Sequence, residues 1–193
     1  VSCVFLPHLR RAEETIAAII RNLAVGRPPW AAIDTDKAIP WAEARLGVAL
    51  AAGQKEAVKL ALKAKVLVVT GGPGVGKTTI IRSILAILKA KGVNPLLAAP
   101  TGRAAKRLSE STGLEAKTIP RVLAYDPKEG GFLHGADNPL ECDVMVLDEV
   151  SMVDVPLMAA TLKALPDTTA LVLVGDVDQL PSVGAGQVLA DLI

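Results

Sequence analysis

"VLVVTGGPGVGKTT", residues 66–79, decides how this chain is read. Its first four residues are apolar, mostly β-branched and too few for a helix, so they suit a short buried strand. Gly71, Gly72, Gly74 and Gly76 follow, and a backbone so rich in glycine turns tightly enough for its N–H groups to point inward. From Lys77 to about Lys91 the apolar residues recur at helical spacing. A strand, then Gly-x4-Gly-Lys-Thr, then a helix is the Walker A arrangement. Each part has work to do around a phosphate. The loop Gly72, Pro73, Gly74, Val75, Gly76 wraps it, and the start of the helix adds partial positive charge. Lys77 reaches the β- and γ-phosphates of a nucleotide, Thr78 offers a hydroxyl to Mg²⁺, and Thr79 continues the same turn.

Working outward, short apolar runs alternate with helical stretches. "PLLAA" (95–99), "VMVL" (144–147) and "LVLV" (171–174) read as buried strands, and 103–110 and about 155–164 as helices. This alternation predicts an α/β fold, a three-layer sandwich with a mostly parallel sheet covered on both faces. Ligands of such sheets bind beyond the carboxyl ends of the strands. Upstream, 9–25 and 54–64 read as helices, and Pro40 is expected to open a short helix that Gly47 closes. Residues 111–141 are expected to be a long excursion with little regular structure.

The bulk numbers exclude more than they assign. Net charge is +1, so any nucleic-acid site must be a local patch. Aromatic residues make up 3%, against a surface that holds strands mainly by stacking. Cys3 and Cys142 fit no metal spacing and read as small apolar residues in a reduced protein. No apolar run approaches the ~20 residues needed to cross a membrane.

Two further stretches follow strands. "VMVLDEVSM" sets Asp148 and Glu149 at a strand end, where one carboxylate can hold Mg²⁺ and the next can deprotonate a water. "VGDVDQLPSVGAG" (174–186) is glycine-rich like a phosphate loop but has Asp176, Asp178 and Gln179 in place of a lysine. "PTGRAAKR" (100–107) joins Thr101 at a helix start to Arg103, Lys106 and Arg107 on one helical face.

Taken in order, Gln54 in "AAGQKEAV", "TGGPGVGKTT", "APTGRAAKRLSE", "TIPRVLAYDP", "VLDEVSMVD" and "VGDVDQLPSVGAG" resemble the RecD-like branch of superfamily 1B DNA helicases over essentially the whole chain. The resemblance implies a RecA-like motor domain that uses ATP and Mg²⁺. By position, Gln54 would read the adenine edge, the loop 72–79 would hold the phosphates, and Thr78 and Asp148 would hold the metal. Lys77, Glu149 and Gln179 would serve catalysis, Gln179 by sensing the γ-phosphate. Pro100, Thr101, Gly102, Arg103 and Thr118 would meet single-stranded DNA.

It also implies a bacterial cytoplasmic protein of DNA recombination and repair that moves 5′→3′. Residues 1–50 are expected to be a helical linker and 51–193 a first motor domain, incomplete at its C-terminal end. A second RecA-like domain of the same parent chain would bring the arginine fingers, so this piece alone is expected to bind ATP weakly and hydrolyse it slowly. Relatives usually carry His where this chain has Pro120. Two rival readings stand beside the helicase: another class of DNA-processing P-loop ATPase, and a nucleotide-binding switch without helicase activity.

Overall fold

A computed structural model describes residues 6–128, 130–179 and 181–193. Its helices are α1 (Pro7–Ala24), α2 (Thr35–Leu46), α3 (Ala52–Lys63), α4 (Lys77–Ala90), α5 (Gly102–Thr112), α6 (Ile119–Val122), α7 (Val155–Lys163) and α8 (Val188–Asp191). Its strands are β1 (Val66–Thr70), β2 (Pro95–Ala99), β3 (Ala116–Thr118), β4 (Tyr125–Asp126), β5 (Gly131–Phe132), β6 (Val144–Leu147) and β7 (Ala170–Gly175). Five strands form one parallel sheet in the order β1-β7-β6-β2-β3.

The alternation of side chains along the central strands builds two cores, one per face. Val144, Val146, Val172 and Val174 face one side and pack with Ile84 and Leu88 of α4, Val58 and Leu62 of α3 and Ile39 of α2. Met145, Leu147, Leu171 and Leu173 face the other, against Met158 and Leu162 of α7 and Ile16 of α1. Both faces of β6 and β7 are buried, which is why these strands read as continuous apolar runs. The three-layer expectation therefore holds, and the N-terminal helices form part of the layers: α1 packs on α7, and α2 on α3 and α4.

Two sequence expectations need correction. Pro40 lies inside α2 and does not open it. The start is set by Asp34, whose carboxylate accepts the N–H groups of Asp36 (3.1 Å) and Lys37 (3.3 Å). Pro40 is exposed, and the carbonyl it leaves unpaired, on Asp36 one turn back, belongs to an exposed residue. Residues 111–141 are also more regular than expected. They supply β3, the edge strand beside β2, then α6 and the antiparallel pair β4–β5. Tyr125 and Phe132 meet edge-to-face across that pair, with ring centres 5.5 Å apart. Gly130, at φ 65°, donates its N–H to the Asp126 carbonyl, and the Asp126 carboxylate accepts from Lys128.

Cys142 is half-buried and free, and burial pushes its thiol up to about 11, so it is an inert apolar residue here. Cys3 lies outside the described residues. No described helix is long and apolar enough to cross a membrane.

Leu88 is fully buried on α4, whereas Leu60 of α3 is 46% exposed. Leu88→Ala is expected to lower the unfolding free energy by about 2–5 kcal/mol, and Leu60→Ala by less than about 1 kcal/mol. Denaturant titration measures both, and equal losses would contradict the packing of α4 under the sheet.

Candidate nucleotide and nucleic-acid site

Register aligns the strand ends. Thr70 pairs with Gly175, Leu173 with Leu147, Ala98 with Leu147, and Ala99 with Thr118. All five strands therefore release their chains on one edge of the sheet. Along that edge stand the 71–76 loop after β1, the 176–186 loop after β7, the acidic pair after β6, Pro100–Arg103 after β2, and the Thr118 turn after β3. Adjacent strands lie about 4.8 Å apart, so the 71–76 loop and Thr101 are separated by roughly 14 Å of sheet.

The loop 71–76 is shaped by its glycines. Gly74 (φ 78°) and Gly76 (φ 87°) are left-handed, where a side chain is strained. A Cβ on Gly76 would also lie 2.2 Å from Nε2 of Gln54. Gln54, on α3, is committed at both ends: Oε1 accepts the Ala51 N–H (3.0 Å) and Nε2 donates to the Val75 carbonyl (3.0 Å). It thus ties α3 to the turn.

The first turn of α4 has no side-chain cap and no acidic residue, so its N–H groups and partial positive charge are uncompensated. Lys77 folds back and donates to the carbonyls of Gly71 and Gly72. Thr78 is exposed beside it and Thr79 half-buried.

Asp148 is partly buried, and burial is the chief cause holding its carboxyl above the ordinary range. The neighbouring Glu149 charge raises it further. The Glu149 N–H on Oδ1 (3.0 Å) and the Lys77 charge pull the other way. Oδ2 has no described hydrogen-bond partner. Glu149 itself sits at φ 57°, ψ 41°, a left-handed conformation costly for a residue with a Cβ. A left-handed acidic residue beside a partly buried one is an arrangement enriched at functional sites. Among the described residues no group of three or more His, Cys, Asp or Glu could hold a metal unaided. One carboxylate plus one hydroxyl still fits Mg²⁺, which keeps most of its shell as water and phosphate oxygens.

Asp176, 1% exposed, organises the turn after β7. Its carboxylate accepts the Asp178 N–H (3.1 Å) and Nε2 of Gln179 (3.3 Å). Leu180 lies outside the described residues. The later glycines allow close packing on α7. A Cβ on Gly184 would strike the Asp154 carboxylate at 2.1 Å, and one on Gly186 would strike Val155 at 2.2 Å. Asp154 caps α7, and Val155 donates its N–H to Ala185 (2.9 Å). The motif thus joins the strand-end edge of the sheet to α7, a link that sequence reasoning missed. "GAG" just before a helix was its only written signal.

Thr101 caps α5 by accepting the Ala104 N–H (3.2 Å), and Gly102 and Arg103 are exposed beside it. Pro100 and Thr118 are partly exposed. Pro120 takes the second position of α6, where a missing N–H costs nothing.

A glycine-rich loop between a strand and a helix, an acidic pair and a basic helix start on one edge of a parallel sheet define the P-loop class of α/β fold. The chain belongs to the family described as "AAA domain", whose model matches residues 54–185. It is 40% identical over 183 residues to the ATP-dependent RecD2 DNA helicase of Deinococcus radiodurans, covering 95% of this chain and 25% of that protein. It is 44% identical over 164 residues to the RecBCD enzyme subunit RecD of Mycolicibacterium smegmatis, covering 72% and 30%. The chain thus spans about a quarter to a third of the length of these curated relatives. Among solved structures it resembles the Pif1 helicase from Candida albicans, with a TM-score of 0.53 and 25% identity, covering 71% of this chain and 35% of that one. It also shares the fold of the Bacteroides Pif1 helicase solved with ADP-AlF3 and ssDNA (TM-score 0.51, 23% identity, covering 75% and 37%).

Because its folded-state carboxyl is raised, ionised Asp148 destabilises the empty protein above that range, and the cost vanishes as pH falls through it. Asp148→Asn is expected to raise Tm by roughly 2–4 °C at neutral pH. Thermal melts of both proteins should converge at acid pH, and an Asp148→Asn protein that melts lower at neutral pH would refute the burial argument.

Proposed function

We propose that this chain is the ATP-binding first motor domain of an ATP-driven DNA helicase that moves 5′→3′ along single-stranded DNA in recombination and repair. The observation that carries the reading is the order of groups along one sheet edge. Phosphate loop, Gln179 turn and acidic pair are adjacent, and the basic start of α5 and Thr118 continue the same line. The names and sequence similarity of the RecD proteins support it.

On this reading Lys77 exchanges the carbonyls of Gly71 and Gly72 for the β- and γ-phosphates. Gln54 reads the adenine edge and gives up one of its present partners to do so. Thr78 and Asp148 would hold Mg²⁺, which when bound neutralises charge on the transferring phosphate. Glu149 takes the proton from a water whose oxygen bonds to the γ-phosphorus while the bond to the ADP oxygen breaks, with the electron pair leaving on ADP. Gln179 exchanges Asp176 for the γ-phosphate and reports its loss. Pro100, Thr101, Gly102, Arg103 and Thr118 hold the DNA phosphates, with the cations of α5 adding charge.

Val177 (47% exposed) and Val183 (108%) are apolar and uncovered on the sensor loop, which supports a partner surface there. The second RecA-like domain of the parent chain suits it, and would supply the arginines. Alone, this chain binds ATP weakly and turns it over slowly.

The test uses the longer protein. Glu149→Gln is expected to keep ATP affinity while lowering DNA-stimulated hydrolysis and strand displacement by about 10²-fold or more. Unchanged turnover would favour a nucleotide-binding switch. Hydrolysis without strand displacement in the unaltered protein would favour another P-loop ATPase.

A further inference from the structure

Away from the strand-end edge, α2, α4 and the far end of α5 border an open cavity of about 710 Å³. Ala86 and Leu114 line it, and Trp41, Arg45, Arg82 and Lys89 line it too. Arg82 and Lys89 stand seven residues apart on α4, close to two turns, so they share a face. Arg45 lies 5.5 Å from the centre of the exposed Trp41 ring, which steadies both groups. None of these three cations forms an ion pair with a described residue. The cavity's one carboxylate among the described residues, Glu110, is turned to Lys106 at 3.8 Å.

Exposed cations scattered on a helix are ordinarily solvated. Here they converge from two helices on a concave, partly apolar space of a size that holds a compact ligand. We propose that this cavity docks a short acidic peptide segment of a partner protein, its carboxylates on Arg45, Arg82 and Lys89 and one apolar side chain against Leu114 and Ala86. Charge complementarity selects the anion. The short extent of the concavity favours a peptide segment, because a nucleic-acid strand tracks a long groove with free aromatic platforms, and Trp41 already has Arg45 on its ring. The far end of α5 also lies about 16 Å from the Thr101 end, one helix length away. The proposal does not depend on the motor reading.

Fluorescence anisotropy at low salt tests it with a labelled eight-residue peptide alternating Asp and Leu, a Lys–Leu counterpart and a ten-nucleotide thymidine strand. The Asp–Leu peptide is expected to bind and the Lys–Leu peptide not. Arg82→Ala/Lys89→Ala should weaken binding about tenfold or more with unchanged circular dichroism and ATP binding. Arg45→Gln, on a different helix, should weaken it independently. Equal binding of both peptides, or indifference to these substitutions, overturns the proposal. So does binding of the thymidine strand that the double substitution abolishes, which would make the cavity a nucleic-acid surface.

Discussion

The ladder that threads β7 between β1 and β6 is the constraint on which the rest of the structure depends. Parallel strands in this order must end on one edge, and each end is separated from the next by a single hydrogen-bonding step. The turn after β7 is therefore held between the phosphate loop and the acidic pair. Its backbone cannot move far without disturbing Gly175, whose missing side chain leaves room for Leu189 and the turn at Val150–Ser151. What can change are side-chain partners: Gln179, Lys77 and Gln54 each hold a partner within the protein, which on the proposed reading a nucleotide would replace.

The edge is costly to assemble. Glu149 is left-handed, Asp148 is partly buried with a raised carboxyl, and the first turn of α4 carries no acidic residue. Each of these opposes folding of the empty protein, and the two cores on either side of the sheet offset them. Positive charge at α4 and Lys77 faces negative charge at Asp148 across the same gap. On the proposed reading, a magnesium-bound triphosphate would match that pattern of charge. The binding free energy of such a ligand would then be largest where the empty site is least content.

Much of this was legible in the residues. The strand–loop–helix of 66–91, the apolar runs at 95–99, 144–147 and 171–174 and the placement of the motifs at strand ends follow from local pattern alone. The N-terminal helices were visible as helices, but that α1 lies on α7 and α2 on α4 is a matter of tertiary packing that no local period encodes. The edge strand β3 is three residues long and half exposed, too short to register as a strand. The β4–β5 pair hid behind Pro127 and Gly130 of its turn and Gly131 at the start of β5, which read as loop. Pro40 misled because a side-chain cap six residues earlier outweighs it. The glycines of 184–186 could be recognised as backbone devices, but their contacts with Asp154 and Val155 are long-range. The cavity beside Trp41 draws on three separate helices, and no motif marks it.

On the proposed reading the 71–76 loop and the start of α4 hold a nucleoside triphosphate, with Lys77 leaving its present carbonyl partners to do so. Isothermal titration of this chain with ATP and Mg²⁺, beside the same titration of Lys77→Ala, tests it directly. The account predicts weak one-to-one binding that Lys77→Ala abolishes while the fold survives. Absence of binding, or binding of equal strength in the Lys77→Ala protein, would contradict it.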